Sequence, residues 1–208
     1  AAPAAPPDGT YVYAETFQGQ PAGKATVTVK RSAAHIDATE TASISALGHT
    51  IAGTDALTLA AATLAPAKYN ATYVVEGART IHAGLDVNGA SASETNDLVG
   101  NKSFNLAGGA KGFAVLDGGF MSGTIFLPAQ IAAAHGSPLI GIVPAYGISL
   151  PIAADLAVKP DRPTTVPATD VVLAIGGQQP INVWYDPKTL IVDEVDVPSQ
   201  GSAVTRQQ

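Results

Sequence analysis

The stretch Ile181–Arg206, INVWYDPKTLIVDEVDVPSQGSAVTR, decides how the chain is read. Trp184 and Tyr185 end a strand-like run, and Asp186-Pro187-Lys188 supplies turn chemistry directly after it. Leu190–Val197 returns as a second strand. Pro198, which has no N–H to give a ladder, stops it. Gln200-Gly201 turns the chain once more into a short closing strand ending near Arg206. Strand, turn, strand, turn, strand is an antiparallel meander, and the same texture runs back through the chain.

Thr10–Phe17 sets Tyr11, Tyr13, Glu15 and Phe17 against Val12, Ala14 and Thr16. A turn over Gln18–Gly23 joins it to Ala25, Val27 and Val29, which alternate with Thr26, Thr28 and Lys30, so a hairpin is predicted. A long strand follows, with Ile36, Ala38, Ala42, Ile44 and Ala46 on one face. Its other face carries His35, Asp37, Thr39, Thr41, Ser43 and Ser45, the pattern of one buried and one wet side. Gly48 breaks it. In Ile51–Leu64 the residues Leu57, Ala60, Ala61 and Leu64 have helical spacing, but the threonines and neighbouring strands favour a strand. Tyr69, Ala71, Tyr73 and Val75 form the next strand after Pro66, then Ile81, Ala83, Leu85 and Val87. Asn88-Gly89 predicts a type I′ two-residue turn into Ala90–Thr95. Asn96–Lys102 reads as loop. Phe104 and Leu106, then Phe113–Leu116, read as short strands around Gly108-Gly109.

From Asp117-Gly118-Gly119 the period changes. Phe120, Thr124, Leu127, Ile131 and Ala134 recur at three- and four-residue steps, so one helical segment is expected between Gly118 and Gly136. Pro128 makes it either kinked or short, starting at the proline. Ser137–Ile152 is charge-free and carries Pro138, Pro144 and Pro151, so regular ladder pairing is not expected there. It reads as a buried crossover or a loop lining a cavity. Asp155–Val158 and Thr164–Ile175 read as strands separated by a turn at Lys159–Pro163. The sum is about ten strands, and an antiparallel sheet that long must curl or close.

Composition limits the function. The 208 residues suit one domain, at 10–206, behind a flexible leader at 1–9. Hydrophobic residues are 46% and charged residues 13%, enough for a sizeable core. A net charge of −6 with scattered basic residues argues against nucleic acid and anionic membrane surfaces. No run reaches the roughly 18 apolar residues of a membrane helix. The absence of cysteine excludes disulfides, thiolate metal sites and cysteine nucleophiles. The start, AAPAAPPDG, has the small-residue, proline-rich texture left after signal peptidase cleavage, so a periplasmic or secreted bacterial location is expected.

Taken together, these features resemble a known group. They are the break Thr63-Leu64-Ala65-Pro66 before a tyrosine strand, the Asp-Gly before a helix, and a closing motif. That motif is carried by Trp184, Tyr185, Asp186, Thr189, Leu190, Val195, Val197, Pro198, Gln200 and Gly201. The chain looks like the exported bacterial domains of unknown function whose fold is related to the lipoprotein carriers LolA and LolB. That resemblance implies a mainly β fold: a strongly curved antiparallel sheet, an incomplete barrel, wrapped around one helical segment. It also implies an apolar concave face. It carries over no catalytic residue.

Catalytic and metal patterns are weak. His35, His49, His82 and His135 lack metal spacing, and His35 and His82 fall on polar strand faces. Asp193, Glu194 and Asp196 alternate across a strand, so at most two could meet one ion such as Ca²⁺, and a solvated strand or edge protection is the favoured reading. Ser122, in Gly-Phe-Met-Ser-Gly, imitates a nucleophile elbow at the wrong spacing. No catalytic residue, metal site or cofactor is therefore assigned. The aromatic faces and the proline-rich stretch are more informative: Tyr11, Tyr13, Phe17, Tyr69, Tyr73, Ile142, Tyr146 and Ile148 are the candidate ligand-lining residues. They would either line a cavity for a lipid or other apolar ligand, or form an ordinary core. Three functions stay open: a non-enzymatic binder of an apolar ligand or an envelope partner, a hydrolase using Asp, Glu and His, and a structural module acting through a sheet edge.

Overall fold

Two-residue alternation governs most of the chain, and fifteen strands form among the described residues. The computed structural model describes residues 3–46, 49–75, 80–117, 120–176 and 180–207. Gly48, Gly118, Gly119 and the side chains of Ala46 and His49 lie outside them. In chain order the first eight strands are β1 (Gly9–Phe17), β2 (Gln20–Arg31), β3 (His35–Ala46), β4 (His49–Ala60), β5 (Pro66–Val75), β6 (Thr80–Asn88), β7 (Ser91–Asn96) and β8 (Lys102–Asn105). Then come β9 (Phe113–Val115), a 3-10 turn at Thr124–Phe126, helix α1 (Leu127–Ala133), β10 (Leu139–Val143) and β11 (Ile148–Ile152). The last four are β12 (Val171–Ile175), β13 (Ile181–Tyr185), β14 (Val192–Val197) and β15 (Ser202–Arg206).

Twelve strands make one antiparallel sheet in the order β12-β13-β14-β15-β1-β2-β3-β4-β5-β6-β7-β8. The closing meander thus extends the sheet from β1, through the β1–β15 ladder between Tyr13–Phe17 and Ser202–Arg206. The sheet curves but does not close, leaving β8 and β12 as its ends. A second, three-stranded sheet, β11-β10-β9, contains the parallel pair β9–β10. The inner faces of the large sheet, this small sheet and α1 share one apolar core, with Val27, Ile36, Leu57, Tyr69, Phe126 and Ile142 buried in it. The expected incomplete barrel around one short helix is what forms.

Several local expectations change. The strand reading of Ile51–Leu64 holds through Ala60, after which Leu64 turns the chain at φ 59°. The helix begins at Leu127 with Pro128 in its first turn, where a missing N–H costs nothing. Ser137–Ile152 does form a regular ladder: Leu139–Val143 pairs with Ile148–Ile152. Pro151 is tolerated because β11 is an edge strand. Asp155–Val158 is not a strand, only a bridge between Ala154 and Ile175, and Thr164–Ile175 shrinks to β12 because Pro163 and Pro167 interrupt it. In the β6–β7 hairpin Asn88 pairs with Ser91, so Gly89-Ala90 is the loop. Only Gly89 has positive φ there, so the turn is not type I′. The type I′ signature appears instead at Gln18-Gly19, both at positive φ, between Phe17 and Gln20.

The proline-rich start is anchored where a free tether was expected. Pro6 is buried, the Tyr11 hydroxyl donates to the Pro7 carbonyl at 2.6 Å, and the Arg31 guanidinium donates to the Pro6 carbonyl at 3.2 Å.

Candidate functional site: a buried carboxylate network and a rim cleft

Alternation along β3 and β4 carries two acidic residues to the inner face. Glu40 has the same parity as Ile36, Ala38 and Ala42, and Asp55 the same parity as Leu57 and Leu59. The β3–β4 register sets Glu40 directly opposite Asp55, so two buried carboxyls share one cross-strand position. The segment before the 3-10 turn docks onto them. The Met121 and Ser122 backbone N–H groups donate to Glu40 Oε2 at 2.7 and 2.6 Å. The Ser122 hydroxyl donates to Asp55 Oδ2 at 2.5 Å. Glu40 Oε1 and Asp55 Oδ1 are buried without a hydrogen-bond partner among the described residues.

Asp117, just after β9, joins from the inner layer. The Tyr69 hydroxyl donates to its Oδ2 at 2.5 Å, and the Tyr73 hydroxyl donates to the same oxygen. Phe120 packs against Tyr73 with ring centroids 5.4 Å apart. It fits because residue 53 is glycine: a Cβ there would lie 2.8 Å from the Phe120 ring and 2.4 Å from the Thr72 carbonyl oxygen.

These environments shift the titrations upward. Burial pushes Asp55 to about 7, opposed by the Ser122 and Tyr69 hydroxyls and reinforced by the Asp117 charge. Burial, then the charge of Asp55, lifts Glu40 well above the carboxylate range, and the Met121 and Ser122 amides only partly offset this. Burial and the nearby Asp117 raise Tyr69 and Tyr73. Glu94, buried on β7, is pushed up to about 7 by burial, against the pull of Lys102.

The eight candidate lining residues fall at different places in the fold. Tyr11, Tyr13, Tyr69, Tyr73 and Ile142 are packed into the core. Phe17 is half-buried at the β1–β2 turn. Tyr146 and Ile148 are 61% and 49% exposed at the β10–β11 turn, near Leu98 and Val99 of the β7–β8 loop. That turn is fixed by Asn96 Nδ2 donating to the Pro144 carbonyl at 2.6 Å and Lys102 Nζ donating to the Gly147 carbonyl at 2.7 Å.

An open cleft of about 460 Å³ lies elsewhere, between the β4–β5 turn, the approach to β9 and the end of α1. Leu64, Ala65, Phe113, Ala133, Ala134 and Leu139 give it an apolar lining, Lys111 and His135 add polar groups, and Pro3 of the anchored start lies at its edge. Gln130 also lines it and donates to the Leu64 carbonyl at 2.8 Å. No carboxylate of the buried network lines it.

The acidic run on β14 is not a solvated strand. Asp193 and Glu194 are buried, because β14 is internal to the sheet and the chain crosses its outer side. Arg206 pairs with Asp193 at 2.6 Å, Glu194 accepts from the Thr165 and Thr205 hydroxyls, and Asp196 accepts from Asn182 and Trp184. His35, His82 and His135 are exposed, and no group of three His, Asp or Glu side chains capable of holding a metal occurs among the described residues.

No protein-family description and no curated protein matches the chain. A solved structure does: the β-barrel-like protein of the domain of unknown function DUF1849 from Brucella abortus, with a TM-score of 0.57. Identity is 10%, and the match covers 100% of this chain and 98% of that one. This likeness shows a β-barrel-like fold. The link to the LolA and LolB carriers remains what the sequence resemblance implies.

Proposed function

We propose that the protein is an exported, non-enzymatic binding module of the bacterial cell envelope, and that it takes an apolar ligand or an apolar segment of an envelope partner in the rim cleft. The observation that carries this reading is the cleft itself: about 460 Å³, open, and lined by Leu64, Phe113, Leu139 and, at the end of α1, Ala133 and Ala134. Its size falls within the range of small-ligand sites. Affinity would come from burial, at about 25 cal/mol per Å² before ordering costs.

Binding is favoured over hydrolysis by access. Ser122, the one serine held against a carboxylate in the interior, is fully buried, and its hydroxyl is committed to Asp55. Among the described residues no histidine contacts it, whereas an activated serine needs a base in reach and an approach for substrate. Envelope location rests on the proline-rich start and on the resemblance of the closing motif.

The test is binding of a fluorescent apolar probe. The unmodified protein should bind it, and Ala133→Trp, which fills the cleft from a half-buried position on α1, should abolish binding while thermal unfolding stays unchanged. Absence of probe binding by the unmodified protein, or full binding by the filled variant, overturns the reading.

A further inference from the structure

We propose that Glu40 and Asp55 hold a proton between them and that this proton latches the segment Phe120–Phe126 into the half-barrel, so that raising the pH releases the segment. The inference does not depend on what the rim cleft binds.

The geometry is specific. Glu40 and Asp55 are register partners on adjacent strands, and both point inward. Each uses one oxygen to hold the incoming segment: Glu40 Oε2 takes the two backbone N–H groups, and Asp55 Oδ2 takes the Ser122 hydroxyl. The remaining oxygens, Glu40 Oε1 and Asp55 Oδ1, have no donor among the described residues. A proton on either carboxyl removes one of two like charges held out of water. Without it, two carboxylates face each other out of water, which is strongly unfavourable.

The surroundings offer little relief. Tyr13 on β1 and Tyr69 and Tyr73 on β5 are neutral phenols, and Asp117 adds a further acidic group. Glu94 on β7 faces the same region; the Lys102 charge on β8 acts on it, while the Lys102 ammonium donates to the Gly147 carbonyl. The terminal turns of the 3-10 segment and α1 carry no acidic or basic residue. Relief therefore comes from movement. The docked segment is the part held by few strand hydrogen bonds, so when both carboxyls ionise it lifts and admits water. Because the segment runs directly into α1, its release also loosens the wall that α1 provides.

The experiment is residue-resolved amide exchange of Met121 and Ser122 between pH 5 and 8.5, with rates referenced to the unstructured peptide at each pH. Val27 on β2 serves as the internal reference. The opening constant at Met121 and Ser122 should rise by up to tenfold per pH unit through the neutral range while Val27 stays protected. Glu40→Gln keeps a carbonyl oxygen for the two N–H groups and removes one of the two carboxyls, so its opening should rise less steeply with pH, with Asp55 alone still titrating. Asp55→Asn makes the same substitution from the other strand and carries the same expectation if Glu40→Gln folds poorly. Protection of Met121 and Ser122 that does not change with pH overturns the proposal. So does the same pH response in the folded amide variants, or opening that is equally large at Val27.

Discussion

Trp184 tests how the outer side of the sheet is covered. Val183 joins the shared apolar core, whereas Trp184, one residue on, points to the opposite face and is not part of that core. It is nevertheless only 3% exposed. The chain between β11 and β12 covers it: the Arg162 guanidinium carbon lies 5.0 Å from the ring centroid, and Arg162 is pinned there by donating to the Pro167 and Asp170 carbonyls, each at 2.6 Å. The indole N–H donates to Asp196 Oδ2 at 3.0 Å. Trp184→Ala removes a buried aromatic, for which about 3–5 kcal/mol is usual. The lower end is expected, because a covering loop can settle into the space more readily than a core can. For a domain of this size, about 3 kcal/mol corresponds to a fall of roughly 6–12 °C in melting temperature. The assay is urea unfolding followed by far-ultraviolet circular dichroism, with the emission of the sole tryptophan recorded alongside. Arg162→Ala should shift that emission to the red at a smaller cost of about 1 kcal/mol, the scale of a cation–π contact. Refutation would be emission in the folded protein as red as in the unfolded chain, or a loss below about 1 kcal/mol for Trp184→Ala.

Two further outcomes follow from the interior. Stability should fall as pH rises from about 4 to 7: folding raises Asp55 from 3.8 to about 7, so across that window the folded state holds a proton that the unfolded chain has already lost. A rise of about three units at roughly 1.4 kcal/mol each amounts to about 4 kcal/mol for this group, and the slope should flatten in Asp55→Asn; an unfolding free energy constant across that window would contradict it. Gly123→Ala should destabilise by about 1–3 kcal/mol or more, because a Cβ at 123 would lie 2.2 Å from the Val115 carbonyl oxygen and backbone must shift; melting within 1 °C of the unmodified protein would show that the close approach is not maintained.

The fold was legible because strand alternation is strict and the turns carry their chemistry openly. The β1–β2 hairpin and the closing meander form in the expected order, but the turn expected over Gln18–Gly23 shrinks to Gln18-Gly19, and the strand expected from Leu190 begins at Val192 because Leu190 turns the chain at φ 59°. What was not legible depends on neighbours distant in sequence. The prolines of Ser137–Ile152 argue against a ladder until β11 is known to be an edge, where Pro151 is harmless. Tyr11, Tyr13, Tyr69 and Tyr73 lie in the core, but whether such a face borders a cavity or a second layer depends on how β9, β10 and α1 fill the concavity, which no local period encodes. Trp184 reads as core from composition, and only the excursion between β11 and β12 shows that a different layer buries it.

The carboxylate network did leave a signal in the sequence. Along β3 the apolar parity runs Ile36, Ala38, Glu40, Ala42, and along β4 it runs Asp55, Leu57, Leu59. Along β7, Glu94 sits between Ala92 and Asn96 on the buried face. Each acid interrupts a pattern that a leucine would satisfy, and replacing buried ionisable groups by well-packed apolar ones is often neutral or stabilising. Stability alone therefore does not account for three acids on inner faces. Two of them, Glu40 and Asp55, hold the inner segment between β9 and α1, where the polypeptide leaves ladder pairing to become a helix: Glu40 accepts from two of its backbone N–H groups and Asp55 from its Ser122 hydroxyl. A leucine at 40 would fill the space and leave the Met121 and Ser122 amides without acceptors; a carboxylate satisfies both and makes their satisfaction depend on pH. Places where a sequence breaks its own pattern against its stability are where function is expected to sit. In this chain two of those three places, Glu40 and Asp55, meet at the docking of a single inner segment.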